Sequence, residues 1–215
     1  MSLCLKPNDR ILFIGDSITD CGRSRPVGHR WGADLGKGYV SMVDQLIGSR
    51  YPEIPLRVLN TGISGNRVID LEARWSEDVL AHQPDWLSVM IGINDVWRQF
   101  DGWPGMEQVH AGRYREVYGS LLERTRPQLD GLVLMTPFFL ETNREDPMRR
   151  MMDEYGAITR ELAERHDAVF VDVQAAFDAY LAKRPPQSLC ADRVHPNLVG
   201  HMIIAQAFLK AIGDS

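Results

Sequence analysis

The chain has 215 residues, with 24 Lys+Arg against 29 Asp+Glu and a formal net charge of -5. That length suits one domain with long loops better than two full cores, and 44% hydrophobic with 25% charged residues excludes a predominantly disordered chain. The acidic balance excludes a nucleic-acid binder that works by bulk positive charge.

In chain order, Lys6, Pro7, Asn8 and Asp9 precede the first apolar run, Ile11 to Ile14. Four residues are too few for a secretory h-region of roughly 7–15 or a membrane span of about 20. The run reads instead as a buried parallel strand closed by Gly15-Asp16. Comparable runs lie at residues 56–60, 86–91, 132–135 and 169–173. Helical patterns fill the intervals. Tyr39, Val43, Leu46 and Ile47 share a face, as do Met148, Met151, Met152, Tyr155, Ile158 and Leu162, a stripe that reads as core. Residues 107–126 and 198–212 supply two more. Five β-α steps predict a five-stranded parallel sheet with helices on both faces, a three-layer α/β/α fold in one domain spanning residues 1–215.

Two connections, residues 21–38 and 136–147, are long enough to suggest function or mobility. Cys4, Cys21 and Cys190 form no CxxC or Cys/His ladder, so neither a disulfide framework nor a structural zinc site is readable. An odd thiol suits a reducing compartment, and the expected location is cytoplasmic.

Ligands of an open parallel sheet bind beyond the carboxyl ends of its strands, where the winding reverses. With strand order 2-1-3-4-5, three post-strand segments crowd one crevice: Gly15-Asp16-Ser17-Ile18, the stretch Gly62-Ile63-Ser64-Gly65-Asn66, and Gly92-Ile93-Asn94-Asp95. A fourth, Asp192-Arg193-Val194-His195, precedes the last helix, which can return it to the same place. Ser17 offers a hydroxyl that needs a base, His195 is that base, and Asp192 lies one turn away to orient the imidazole. The oxyanion formed on attack needs donors in place. The backbone N–H groups of Ser17 and Gly65 and the Asn94 amide are the candidates. This chemistry calls for no cofactor and no metal.

These four segments resemble, in order, the four blocks of the SGNH (GDSL-type) hydrolases, with Ile18 where the family name has Leu. The resemblance implies a flavodoxin-like fold and a serine esterase: Ser17 nucleophile, His195 base, Asp192 its orienter, and Gly65 and Asn94 completing the oxyanion hole with Ser17. Residues 85–101, 134–156 and 192–208 are similar to the intracellular acetylxylan esterases of that superfamily. That likeness alone implies an O-acetylated sugar or short xylo-oligosaccharide as the small-molecule partner, with no nucleic acid and no membrane.

Trp31, Trp97 and Trp103 offer faces for a sugar ring, and Arg98 and Arg144 reach for hydroxyls or acyl oxygens; packing at a loop or subunit boundary is the competing reading, and loop tryptophans are compatible with homo-oligomerisation. Asp16 and Asp95 are expected to hydrogen-bond their own loops, Asp20 to cap a helix or face water, and Cys21 and Cys190 to be small buried thiols. Residues 32–38 mimic a phosphate loop but lack its spacing, its Ser/Thr and a preceding strand. The rivals are a broad lysophospholipase or thioesterase of the same superfamily and, from another class, a carbohydrate-binding or phosphate-responsive module whose serine is only structural.

Overall fold

The structure is a computed structural model that describes residues 3–29, 34–102 and 105–213. Its strands are β1 (Arg10–Gly15), β2 (Gly28–His29), β3 (Arg57–Asn60), β4 (Trp86–Met90), β5 (Gly131–Met135) and β6 (Val169–Val171). They form one sheet in the order β2-β3-β1-β4-β5-β6. The five strands β3-β1-β4-β5-β6 are parallel and reproduce the predicted order 2-1-3-4-5. The count needs one correction. A sixth strand, β2, pairs antiparallel with β3 at the sheet edge. It is two residues long inside a glycine-rich loop, too short to leave a periodic signal.

The helices are α1 (Ser17–Asp20), α2 (Tyr39–Arg50), α3 (Val68–Asp78), α4 (Ile93–Trp97), α5 (Ala111–Thr125), α6 (Pro147–Arg165), α7 (Val173–Leu181) and α8 (Leu198–Ala211). α2 packs on α8 and α8 on α7, while α3 packs on α5 and α5 on α6, giving a helical layer on each side of the sheet. β1 and β4 lie between other strands and under both layers. Accordingly Leu12, Phe13, Ile14, Leu87 and Val89 are fully enclosed, and these strands read as continuous apolar runs rather than alternating ones.

Local chemistry sets the boundaries. Asp146 accepts from the N–H groups of Met148 and Arg149, with Pro147 at the first helical position, so α6 starts there. Met148, Met152, Tyr155, Ile158 and Leu162 are buried as the stripe predicts, while Met151 sits at its edge. The run at 169–173 stops as a strand at Val171, because the Asp172 side chain accepts from Ala175 N and caps α7. Asn197 caps α8 through Val199 and Gly200. α8 then docks on α2 through buried His201, whose Nδ1 accepts from Tyr39 N at 3.2 Å. Burial pushes the pKa of that imidazole down to about 4, with nearby His195 adding to the effect.

β1 runs to β3 on one side, and the chain then crosses to β4 on the other. The carboxyl ends of β1 and β4 therefore flank the point where the winding reverses. Gly15 permits their close approach: a Cβ there would lie 2.3 Å from the Met90 carbonyl oxygen.

Candidate active site

Asp16 follows β1 and accepts from Ile18 N at 3.0 Å, so the chain turns into α1 and sets Ser17 at its first position. The Ser17 hydroxyl oxygen lies 2.9 Å from His195 Nε2. His195 comes from the segment between α7 and α8, and an Asp192-centred turn holds it. Asp192 Oδ1 accepts from Val194 N at 2.9 Å and His195 N at 2.8 Å, and Oδ2 lies 2.6 Å from His195 Nδ1. An ionised carboxylate has only lone pairs, so Nδ1 carries the hydrogen and the Nε2 lone pair faces Ser17. Partial burial works to raise the Asp192 pKa. Hydrogen bonds from the His195 backbone and ring and from Val194 N outweigh it and bring the carboxyl below its ordinary value.

The turn has a backbone cost. Arg193 adopts the left-handed conformation at φ 64, unfavourable for a side chain with a Cβ by about 1–2 kcal/mol. Its guanidinium pairs with Glu141 and lies 4.9 Å from the Phe139 ring centroid, and its carbonyl accepts from Leu140 N at 2.9 Å. The connection after β5 thus grips the Asp192–His195 turn.

Gly65 occupies the tip of the loop after β3 at φ 84, with open space where a Cβ would stand. Ser64 beside it donates through N and hydroxyl to Asp20 Oδ2 at 3.0 and 2.9 Å, and Arg25 pairs with the same oxygen at 2.7 Å. This corrects the expectation for Asp20, which is buried and tethers the glycine loop instead of facing water. Asn60 closes the base of the loop by donating to the Thr19 and Leu35 carbonyls and accepting from Gly62 N. Asn94 stands at the start of α4. Its Nδ2 donates to the Asn66 carbonyl at 3.1 Å, and its Oδ1 faces Arg98 Nη2 at 3.4 Å. The donor end of the amide is therefore aimed at the side of the glycine loop.

Trp97 packs against the imidazole, its ring centroid 6.0 Å from that of His195, and Arg98 lies 4.9 Å over the same indole while pairing with Asp101. Both thus lie beside the Ser17–His195 pair. Arg144 is different: it pairs with Asp178 on α7 at 3.1 Å, beside buried Arg149, so its charge is engaged in bracing that helix rather than in the cleft. Trp31 and Trp103 lie outside the described residues. Cys21 and Cys190 are half-buried and Cys4 is exposed.

Asp16 and Asp95 form a buried acidic pair beneath these loops. Asp95 Oδ1 accepts from Val68 N at 2.9 Å, while its Oδ2 has no partner among the described residues. Burial pushes Asp95 up to about 8, with Asp16 adding, and pushes Asp16 up to about 7. The folded protein keeps protons here that the unfolded chain releases near pH 4. Each group's contribution to stability is complete below that pH and is lost as pH rises through the folded value, by up to roughly 1.4 kcal/mol per pH unit. Asp95→Asn keeps an acceptor for Val68 N and has no proton to lose. Its Tm minus that of the wild type is expected to rise between pH 4 and pH 8 in thermal melts; a constant difference would contradict a protonated Asp95.

Among the described residues no three His, Cys, Asp or Glu side chains group as a metal would require, and no helix is long and apolar enough to cross a membrane. Comparison with known proteins agrees with the architecture. The chain is 53% identical over 207 residues to an acetylxylan esterase of Geobacillus stearothermophilus, covering 95% of this chain and 94% of that one. The crystal structure of the Geobacillus stearothermophilus acetylxylan esterase superposes with a TM-score of 0.95 at 52% identity, covering 97% and 96% of the two chains. An alpha/beta hydrolase enzyme from the metagenome of Lake Arreo, Spain, gives a TM-score of 0.96 at 46% identity, covering 99% of each chain. The family model described as the GDSL-like Lipase/Acylhydrolase family matches residues 13–203. With that match over most of its length and the site geometry above, the chain belongs to the GDSL-like lipase/acylhydrolase family of carboxylic ester hydrolases.

Proposed function

We propose that the protein is a serine esterase that removes acetyl groups from sugars or short xylo-oligosaccharides, acting as a single domain without a cofactor. The observation that carries this reading is the hydrogen-bonded series Ser17–His195–Asp192, at 2.9 and 2.6 Å. Ser17 attacks the ester carbonyl as His195 Nε2 takes its proton, and Asp192 stabilises the imidazolium that forms. The negative oxygen of the tetrahedral intermediate is received by Ser17 N–H, Gly65 N–H and the Asn94 amide. His195 then gives that proton to the departing sugar oxygen as its bond to the carbonyl carbon breaks, and the sugar leaves with a free hydroxyl. Water attacks the acetyl-Ser17 ester as His195 takes its proton, and collapse of the second intermediate releases acetic acid, ionised to acetate, while His195 returns that proton to the Ser17 oxygen.

The acetylated saccharide is supported by the 53% identity with an acetylxylan esterase. Solved forms of that esterase include catalytic mutants in which a serine, a histidine or an aspartate is replaced by alanine. Exposure of the base also fits: the side chains of His195 and Asp192 remain 48% and 42% accessible, which suits a bulky alcohol and a short acyl group entering from solvent. Three unpaired thiols favour a reducing, cytoplasmic setting.

Incubation with acetylated xylo-oligosaccharides, followed by mass spectrometry, is expected to show stepwise loss of acetyl groups. On nitrophenyl esters, turnover is expected to fall as the acyl chain lengthens. A preference for long chains would instead point to a lysophospholipase or thioesterase.

A further inference from the structure

Arg74 lies on α3, yet its guanidinium ends among the loops that carry the site. Nε donates to Asn66 Oδ1 at 2.7 Å, Nη1 to the Thr61 carbonyl at 2.7 Å and to Asp78 Oδ2 at 2.5 Å, and Nη2 to the Gly15 carbonyl at 3.2 Å. Gly15 ends β1 two residues before Ser17. Thr61 and Asn66 bracket the loop that holds Gly65. The Asn66 carbonyl in turn accepts from Asn94 Nδ2 at 3.1 Å. One planar group, its side chain 13% exposed, thereby ties the end of β1 to both arms of the glycine loop and, through Asn66, to Asn94.

We propose that Arg74 is a positioning residue that sets the donors at Ser17, Gly65 and Asn94 in fixed relation to one another. This rests on the assignment of those three groups as the oxyanion hole. The physical reason lies in the fork. A guanidinium presents its N–H groups in a rigid plane, so acceptors from three chain segments are fixed together, whereas a lysine ammonium is a point charge on a flexible stem. Donors placed for a developing charge lose much of their effect when misplaced by about 1 Å, a displacement able to cost on the order of a hundredfold. Asp78 compensates the buried charge from the outer side and leaves the other N–H groups to the loops.

The test compares Arg74→Lys and Arg74→Ala with the wild type on nitrophenyl acetate, alone and combined with Asn94→Ala, with thermal melts to establish folding. Both single variants are expected to lose roughly 10- to 100-fold in kcat with KM changed less than about twofold. The loss is expected to be smaller in the Asn94→Ala background, because part of what Arg74 positions is already gone. Wild-type kcat in folded Arg74→Lys overturns the proposal, and so does a matching rise in KM or a loss of equal size in both backgrounds. If Arg74→Ala does not fold, Arg74→Lys decides alone. The two readings separate cleanly: undiminished turnover in Asn94→Ala removes Asn94 from the oxyanion hole, whereas slow Asn94→Ala with fast Arg74→Lys removes only the role of Arg74.

Discussion

Ser17→Ala is expected to lose on the order of 10⁴- to 10⁶-fold in kcat on nitrophenyl acetate while remaining folded. The variant keeps the N–H of residue 17, the glycine loop and the Asn94 amide, so a small oxyanion-based activity survives. It has no atom on which to carry the acyl group. His195 still faces the cleft and can activate only water directly, which gives up the advantage of a nucleophile held within 2.9 Å of its base. The Ser17 side chain is partly exposed and makes its hydrogen bond to His195, while the Asp16 cap of α1 is untouched. The melting temperature is therefore expected to stay within a few degrees of the wild type, and steady-state kinetics with a thermal melt check both statements. Undiminished turnover would end the assignment.

Asn94→Ala is the second large effect, with an expected loss of about a hundredfold or more in kcat, the usual consequence of removing one oxyanion donor. The change acts in two ways. It deletes the amide proposed to receive the developing negative oxygen, and it strips the Asn66 carbonyl of the donor at 3.1 Å that holds the glycine loop against α4. Asn94→Asp loses both of these N–H interactions as well, since a carboxylate only accepts, and adds a negative charge in a side chain of the same shape. Its carboxylate would repel the oxyanion, so it is expected to be at least as slow as the alanine variant. KM for a small ester is expected to change little in either, because the lost interaction belongs to the transition state. Equal kcat for Asn94→Ala and wild type would remove the residue from the hole.

The parts of the molecule legible in the sequence are those where chain-local chemistry decides the outcome. Buried parallel strands leave uninterrupted apolar runs, and the residues after β1, β3 and β4 gather because strand order brings those carboxyl ends together. The Asp192–His195 turn is legible too, since three residues and an Asx-type hydrogen bond suffice to place carboxylate and imidazole. What escaped the sequence depends on distant neighbours. β2 exists only because β3 offers an unpaired edge. Asp20 resembles any helix-end carboxylate until Ser64 and Arg25 enclose it. Arg144, between Asn143 and Glu145, and Arg74, between Ala73 and Trp75, are both long cations, and only the packing sends one to Asp178 and the other to the glycine loop. Asp95 is ordinary in sequence, and only complete burial, with Asp16 adding, pushes its pKa up.

A covalent acetyl-enzyme on one hydroxyl is the intermediate this mechanism requires, and rapid acid quenching during turnover of nitrophenyl acetate, followed by peptide mass spectrometry, detects it. One acetyl group on the peptide that contains Ser17, absent from the same peptide of Ser17→Ala, is the predicted result. Full turnover with the acetyl group carried on a different side chain would contradict it.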